Sequence, residues 1–148
     1  MSLDALRARY PGAQTFTFGD GKALTDQLNA LVRSGAKRAT CGALRDYESG
    51  AEAMPTVGRR DIALEHDGMP AFVIETRELR TCRFDEVSEE MALAEGEDDD
   101  LAGWRAGHEA YFTRNGGFAP DMMLVWERFD LIEDLAATEE TTITGERP

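Results

Sequence analysis

The sequence predicts an α+β protein, a small mixed β-barrel with helices packed around it. Three observations point there. Segments that read as strands outnumber long helices, a β-hairpin lies between helical segments, and an apolar stretch near the C-terminal end reads as a closing strand. The 148 residues, 42% hydrophobic and 30% charged, suit one soluble domain with a buried core. That domain is taken as 1–148, with about 16–133 as its centre and 134–148 as a flexible tail.

The N-terminal "MSLDALRARYPGAQ" mixes acid and arginine and lacks the apolar core of a signal peptide. No apolar run approaches the ~20 residues of a membrane span. A cytoplasmic, membrane-free protein is expected, and Cys41 and Cys82 then read as reduced thiols. "TFTFGDG" (Thr15–Gly21) alternates and breaks at glycines, so it reads as a short strand or a loop. In "KALTDQLNALVRSG", Leu24, Leu28, Leu31 and Val32 share one helical face. Asp20 or Thr25 is placed to cap this helix, 22–34, and Gly35 sits where a C-terminal cap glycine belongs.

"RATCGAL" is short and partly β-branched, a strand leading into the loop "DYESGAEAMPTVG". "RRDIALEHDG" and "AFVIETRELRTCRF" form a hairpin around Asp67–Gly68, with Ile62 and Leu64 on one side of the sheet. "FDEVSEEMALAEGEDDD" begins as a helix with Val87 and Met91 inward, and ends in an acidic loop. A second helix, 101–114, carries Leu101, Trp104, His108, Tyr111 and Phe112 on roughly one side. "DMMLVWERFDLIEDL" is apolar from Met122 to Ile132 and reads as a buried strand; Glu127 and Arg128 inside it call for an ion pair or a cleft contact. The last residues are polar and predict a frayed end.

Charge narrows the function. Residues 1–83 hold 12 Lys/Arg against 11 Asp/Glu, and residues 84–148 hold 4 against 18, giving the net −13. Such acidity disfavours non-specific binding of long nucleic acid, which phosphate attraction drives. A small anionic ligand remains open through Arg33, Lys37, Arg38, Arg45, Arg59 and Arg60, though for most of these scattered solvated charge suffices. "SGAKRATCG" contains G-x-K-x-x-T, which can hold a phosphate, run a lysine–threonine reaction, or simply turn a corner.

Five stretches in order, "FTFGD", "LVRSGAKRAT", "MPTVGRRDIAL", "EGEDDDLAGWRAGHEAYF" and "DMMLVWERFDLI", resemble the ASCH-domain family over about Phe16 to Glu133. The resemblance implies a PUA-like barrel with a cleft beside G-x-K-x-x-T, and RNA, nucleotide or nucleoside as partner. One branch of short members deacetylates N4-acetylcytidine with the motif's lysine and threonine and a later glutamate. Carried over by position, these are Lys37, Thr40 and Glu95, although this chain has the longer "EGEDDD…W…H" form.

A threonine nucleophile needs a base within reach. Lys37 serves only when neutral, and carboxylates nearby oppose that. A protonated Glu95 would donate to a leaving amine. Gly35, Arg38, Trp104 and His108 complete the candidate site: Gly35 within the motif, Arg38 for an oxyanion or phosphate, Trp104 to stack a base, His108 lining the cleft. No cofactor is implied, and no metal: the acidic run lacks the spacing of a calcium loop. The reading is a hydrolase of a modified nucleoside, an amidohydrolase in particular. A non-catalytic RNA- or nucleotide-binding module and a ribonuclease in the same cleft are the alternatives.

Overall fold

A computed structural model describes residues 2–135. Five strands form one mixed sheet in the order β1-β3-β4-β5-β2: β1 (Thr15–Phe16), β2 (Ala39–Ala43), β3 (Arg60–Leu64), β4 (Pro70–Arg83) and β5 (Met123–Asp134). β1 runs parallel to β3, and every other pairing is antiparallel. The hairpin β3–β4 turns at Asp67–Gly68, where Gly68 has a positive φ. Two register shifts interrupt the β4–β5 pairing, at Val73/Ile74 with the extra residue on β5 and at Thr76/Glu78 with it on β4. Such bulges bend a strand and sharpen its twist.

Among the described residues the sheet does not close. β1 and β2 remain as edges, and β1 has only two residues to offer a partner. The expected barrel is therefore an open mixed sheet with helices around it.

The helices are α1 (Leu3–Arg9), α2 (Lys22–Ser34), α3 (Leu44–Glu48), α4 (Glu89–Ala94) and α5 (Leu101–Arg114). Leu28 and Val32 of α2 pack on Phe72, Ile74 and Phe129. Leu6 of α1 packs on Ile62 and Val73, with Leu64 against the same cluster. Met91 and Ala92 of α4 and Trp104 and Phe112 of α5 pack on Ala39, Leu124 and Trp126.

α2 starts at Gly21 without a side-chain cap. Neither expected cap serves: Asp20 binds Arg114 at 2.6 Å, and the Thr25 hydroxyl donates to the Phe18 carbonyl. Of the tail expected from 134, Asp134 closes β5 and Leu135 is buried beside Leu6, while 136–148 lie outside the described residues.

Candidate active site in the cleft between the sheet edges

Both free edges of the sheet line a single cleft of about 310 Å³. Thr15 and Phe16 of β1 border it on one side and Thr40–Ala43 of β2 on the other. Other walls come from β5 through Glu127, β3 through Asp61, α2 through Leu24 and Leu28, the 46–55 segment, the 95–98 turn, and α5 through His108, Tyr111 and Phe112.

Lys37 lies behind the β2 wall and is fully buried. The chain around it is pinned from three sides: the Lys37 amide donates to the Leu31 carbonyl, the Arg38 amide to Ala94, and the Phe129 amide to Arg38. Gly96, at φ +73°, brings the 95–97 turn onto this segment. A Cβ there would stand 2.1 Å from the Ala36 carbonyl oxygen. Only glycine permits that backbone approach.

The turn delivers two carboxylates to the buried lysine. Lys37 Nζ donates to Glu97 Oε2 at 2.7 Å and to the Ala39 carbonyl at 2.8 Å, and stands 3.8 Å from Glu95 Oε1. Phe18 offers its ring face 5.4 Å away. Every neighbour is an acceptor or a π-face, the surroundings of an ammonium with three donors. No bond joins Nζ to the Thr40 hydroxyl among the described residues, so the lysine-base arrangement is not in place.

Glu95 is 1% exposed. Its Oε2 accepts from Trp104 Nε1 at 3.0 Å, and its Oε1 faces His108 Nε2 at 3.3 Å without a hydrogen bond of good geometry. Burial pushes the carboxyl up. The His108 contact and the Lys37 charge outweigh it, with Trp104 assisting, and hold the group below its ordinary 4.5. Glu95 is thus a carboxylate, not the protonated acid that would serve a leaving amine. His108 shows the mirror effect: burial pulls it down, and the close contact with Glu95 and its charge raise it above 6.5. Its Nδ1 lies 2.8 Å from the Trp104 carbonyl and must donate there.

The structure thus brings Lys37, Glu95 and His108 together, with Thr40 half-buried on the cleft wall. It gives the other three candidates roles other than the ligand-binding ones expected. Gly35, at φ +92°, ends α2. Arg38 donates to the Val32 and Lys37 carbonyls at the end of α2 and does not line the cleft. Trp104 is fully buried between Phe84 and His108, with no face free for a base. The other arginines of the candidate basic patch are also engaged: Arg33 with Glu65 and Asp134, Arg59 with Asp61, Arg60 with Glu75, and Arg45 with the Asn115 and Gly117 carbonyls.

Sequence reasoning missed two contributors, Glu97 and Cys41, and anticipated a third, Glu127, as an ion pair or a cleft contact. Glu97 reads there only as part of an acidic loop, yet it is the nearest partner of Lys37. Cys41 follows the motif threonine and reaches the Glu95–His108 pair; burial and Glu95 push its thiol well up. Glu127 lines the cleft and accepts from the Thr76 hydroxyl at 2.7 Å, and burial pushes it up to about 7. Arg128 is not its partner and lies instead near Glu78 and the Trp126 ring.

Seven carboxyls line the cleft: Asp46, Glu52, Asp61, Glu95, Glu97, Asp98 and Glu127. Its lining arginine, Arg114, is already held by Asp20. Burial raises Glu52 and Asp98 as well, with neighbouring acids adding to it.

An open mixed sheet whose two edges enclose an acidic cleft over a buried lysine and two glutamates defines the class of protein. The sequence model of the ASCH domain matches residues 14–133, and the chain belongs to that family. It is similar to the crystal structure of an ASCH domain from Lactobacillus crispatus JV V101, at 30% identity and a TM-score of 0.76 over 90% of this chain and 87% of that one. A protein of Enterococcus faecalis V583 is similar at 29% identity and a TM-score of 0.79, over 93% and 89%. No curated protein matches the chain. Among the described residues no helix is long and apolar enough to cross a membrane.

Proposed function

We propose that the protein is a small hydrolase that removes an acyl group from an uncharged modified nucleoside such as N4-acetylcytidine. The observation that carries this is the cleft: about 310 Å³, walled by seven carboxyls, with the Thr40 hydroxyl on its edge strand. That volume suits one small molecule. Its charge repels phosphate and favours a neutral ligand rich in N–H donors, as a nucleobase with an exocyclic amine is. A nucleotide or RNA reader would need free cations here, and Lys37 and Arg38 have spent theirs within the protein.

In this reading the Thr40 hydroxyl oxygen attacks the acyl carbon and the C–N bond breaks. The hydroxyl proton passes through a cleft carboxylate to the leaving amine, which departs as the free base. Water then cleaves the threonine ester, restoring Thr40 and releasing the carboxylic acid. Glu97 is the carboxylate assigned to the proton, since it lines the cleft and Lys37 holds it in place. Lys37 acts as a positioning residue, bonded to Glu97 at 2.7 Å and standing 3.8 Å from Glu95.

The test pairs turnover with binding. N4-acetylcytidine, its 5′-monophosphate and short RNAs are offered to the wild type and to Thr40→Val. Deacetylation of the nucleoside should fall by roughly two to four orders of magnitude in the variant with affinity retained. Full activity in Thr40→Val, or tighter binding of the monophosphate than of the nucleoside, would overturn the reading.

A further inference from the structure

Cys41, Glu95 and His108 form a second cluster that meets the lysine set at Glu95. They come from β2, the 95–97 turn and α5, far apart in sequence. Cys41 Sγ, a Glu95 oxygen and a His108 ring nitrogen all lie within 4.8 Å of one another. Glu95 Oε1 is buried and lacks a hydrogen bond, though it points at His108 Nε2, 3.3 Å away. A buried carboxyl oxygen with only this poorly aligned contact costs free energy until a better partner binds it.

We propose that Cys41 Sγ, Glu95 Oε1 and His108 Nε2 bind a zinc-class transition-metal ion, whose fourth position opens on the cleft. Thiolate, imidazole and carboxylate together suit zinc among divalent ions. With metal–ligand distances of about 2.0–2.3 Å, tetrahedral ligands stand roughly 3.3–3.8 Å from one another. With the atoms within 4.8 Å of one another, they need to close in by about 1.5 Å at most.

Both ligands on the α5 side are already aimed, and by the same buried residue. His108 Nδ1–H donates to the Trp104 carbonyl at 2.8 Å, so Nε2 faces Glu95 and offers its lone pair there once an ion displaces its proton. The Trp104 indole N–H holds Glu95 Oε2 at 3.0 Å, leaving Oε1 for the ion. Outer contacts of this kind fix tautomer and orientation in metal sites. Lys37 does not block the ion. Its close partners are Glu97 and Ala39, and Glu95 Oε1 at 3.8 Å is the contact it can give up. Thiolate, carboxylate and a divalent cation sum to zero, so the buried site gains no net charge.

The proposal goes beyond the hydrolase reading and does not rest on it. The full chain, stripped of metal, is titrated with Co²⁺ and then Zn²⁺. One Co²⁺ per chain should bind with a thiolate-to-cobalt charge-transfer band and tetrahedral visible bands, and Zn²⁺ should displace it. Cys41→Ser should lose that band and weaken zinc by roughly tenfold or more, with a comparable loss in His108→Gln, while Cys82→Ser changes neither. Should the Cys41 or His108 variants fail to fold, alkylation of folded Cys82→Ser protein gives an independent reading. There Zn²⁺ should slow modification of Cys41 at least about tenfold. Zinc affinity weaker than about 0.1 mM, a cobalt complex without the thiolate band, or alkylation indifferent to zinc would each overturn the assignment.

Discussion

At the scale of single residues, the largest consequence attaches to Lys37. Its side chain is fully exchanged from water to protein, and two glutamates stand against it. Removing one partner of such a buried set leaves the rest uncompensated, which costs about 3–5 kcal/mol. Lys37→Met should therefore lower stability in urea by that order, whatever it does to turnover. Trp104→Phe probes the same set more gently. It keeps the ring stack on Phe84 and His108 but deletes the N–H that Glu95 Oε2 accepts. The expected loss is about 1–3 kcal/mol, the cost of an orphaned buried acceptor. A Trp104→Phe protein as stable as the wild type would mean that Glu95 is not held as described.

At the scale of elements, the turn between α4 and α5 is what assembles the site, and Gly96 is its pivot. Gly96→Ala puts a Cβ 2.1 Å from the Ala36 carbonyl at a φ of +73°. Both strain and collision act, and a loss of roughly 3 kcal/mol or more is expected. Gly12→Ala is the control: its φ is +82°, but nothing lies within 4 Å of the added Cβ, so only about 1–2 kcal/mol should be lost. Equal losses at the two positions, measured by thermal or urea unfolding, would remove the close approach from the account. Elements with a strong period were legible in the sequence: α2 and α5 match 22–34 and 101–114, the hairpin turns at Asp67–Gly68, and β5 fills the apolar C-terminal stretch. α1 and α3 are too short to show a period, so the first passed without an assignment and the second as loop. Openness of the sheet was not legible either, because edge pairing is a long-range matter that strand patterns do not record. In the site, Lys37, Thr40 and Glu95 stood out through a motif. Glu97 and Cys41 were hidden because their partners are distant in sequence, and Trp104 because an aromatic on an apolar helix face looks alike whether it packs or binds.

At the scale of the whole molecule, net charge and the acidic cleft tie stability to pH in two opposing ways. Glu133, Asp20 and Glu95 have carboxyls held below their ordinary values by Tyr10, Arg114 and His108 respectively, among other contacts. Their contribution is present at neutral pH and lost as pH falls through the lowered values. Glu127 runs the other way. Its carboxyl is pushed from 4.5 up to about 7, chiefly by burial, so the folded chain holds this proton more tightly than the unfolded one. The stabilisation it gives is complete below 4.5 and disappears as pH climbs through about 7. Partial solvent access reduces what the shift alone would imply, and the effect is on the order of 2 kcal/mol. Glu127→Gln keeps an oxygen for the Thr76 hydroxyl but cannot ionise. Urea unfolding between pH 4.5 and 7.5 should show wild type losing about that much stability relative to Glu127→Gln as pH rises, with the two converging at the acid end. Parallel curves for the two proteins across this range would mean that Glu127 titrates like an exposed carboxyl, and the cleft would then be wetter and less selective against anions than its walls imply.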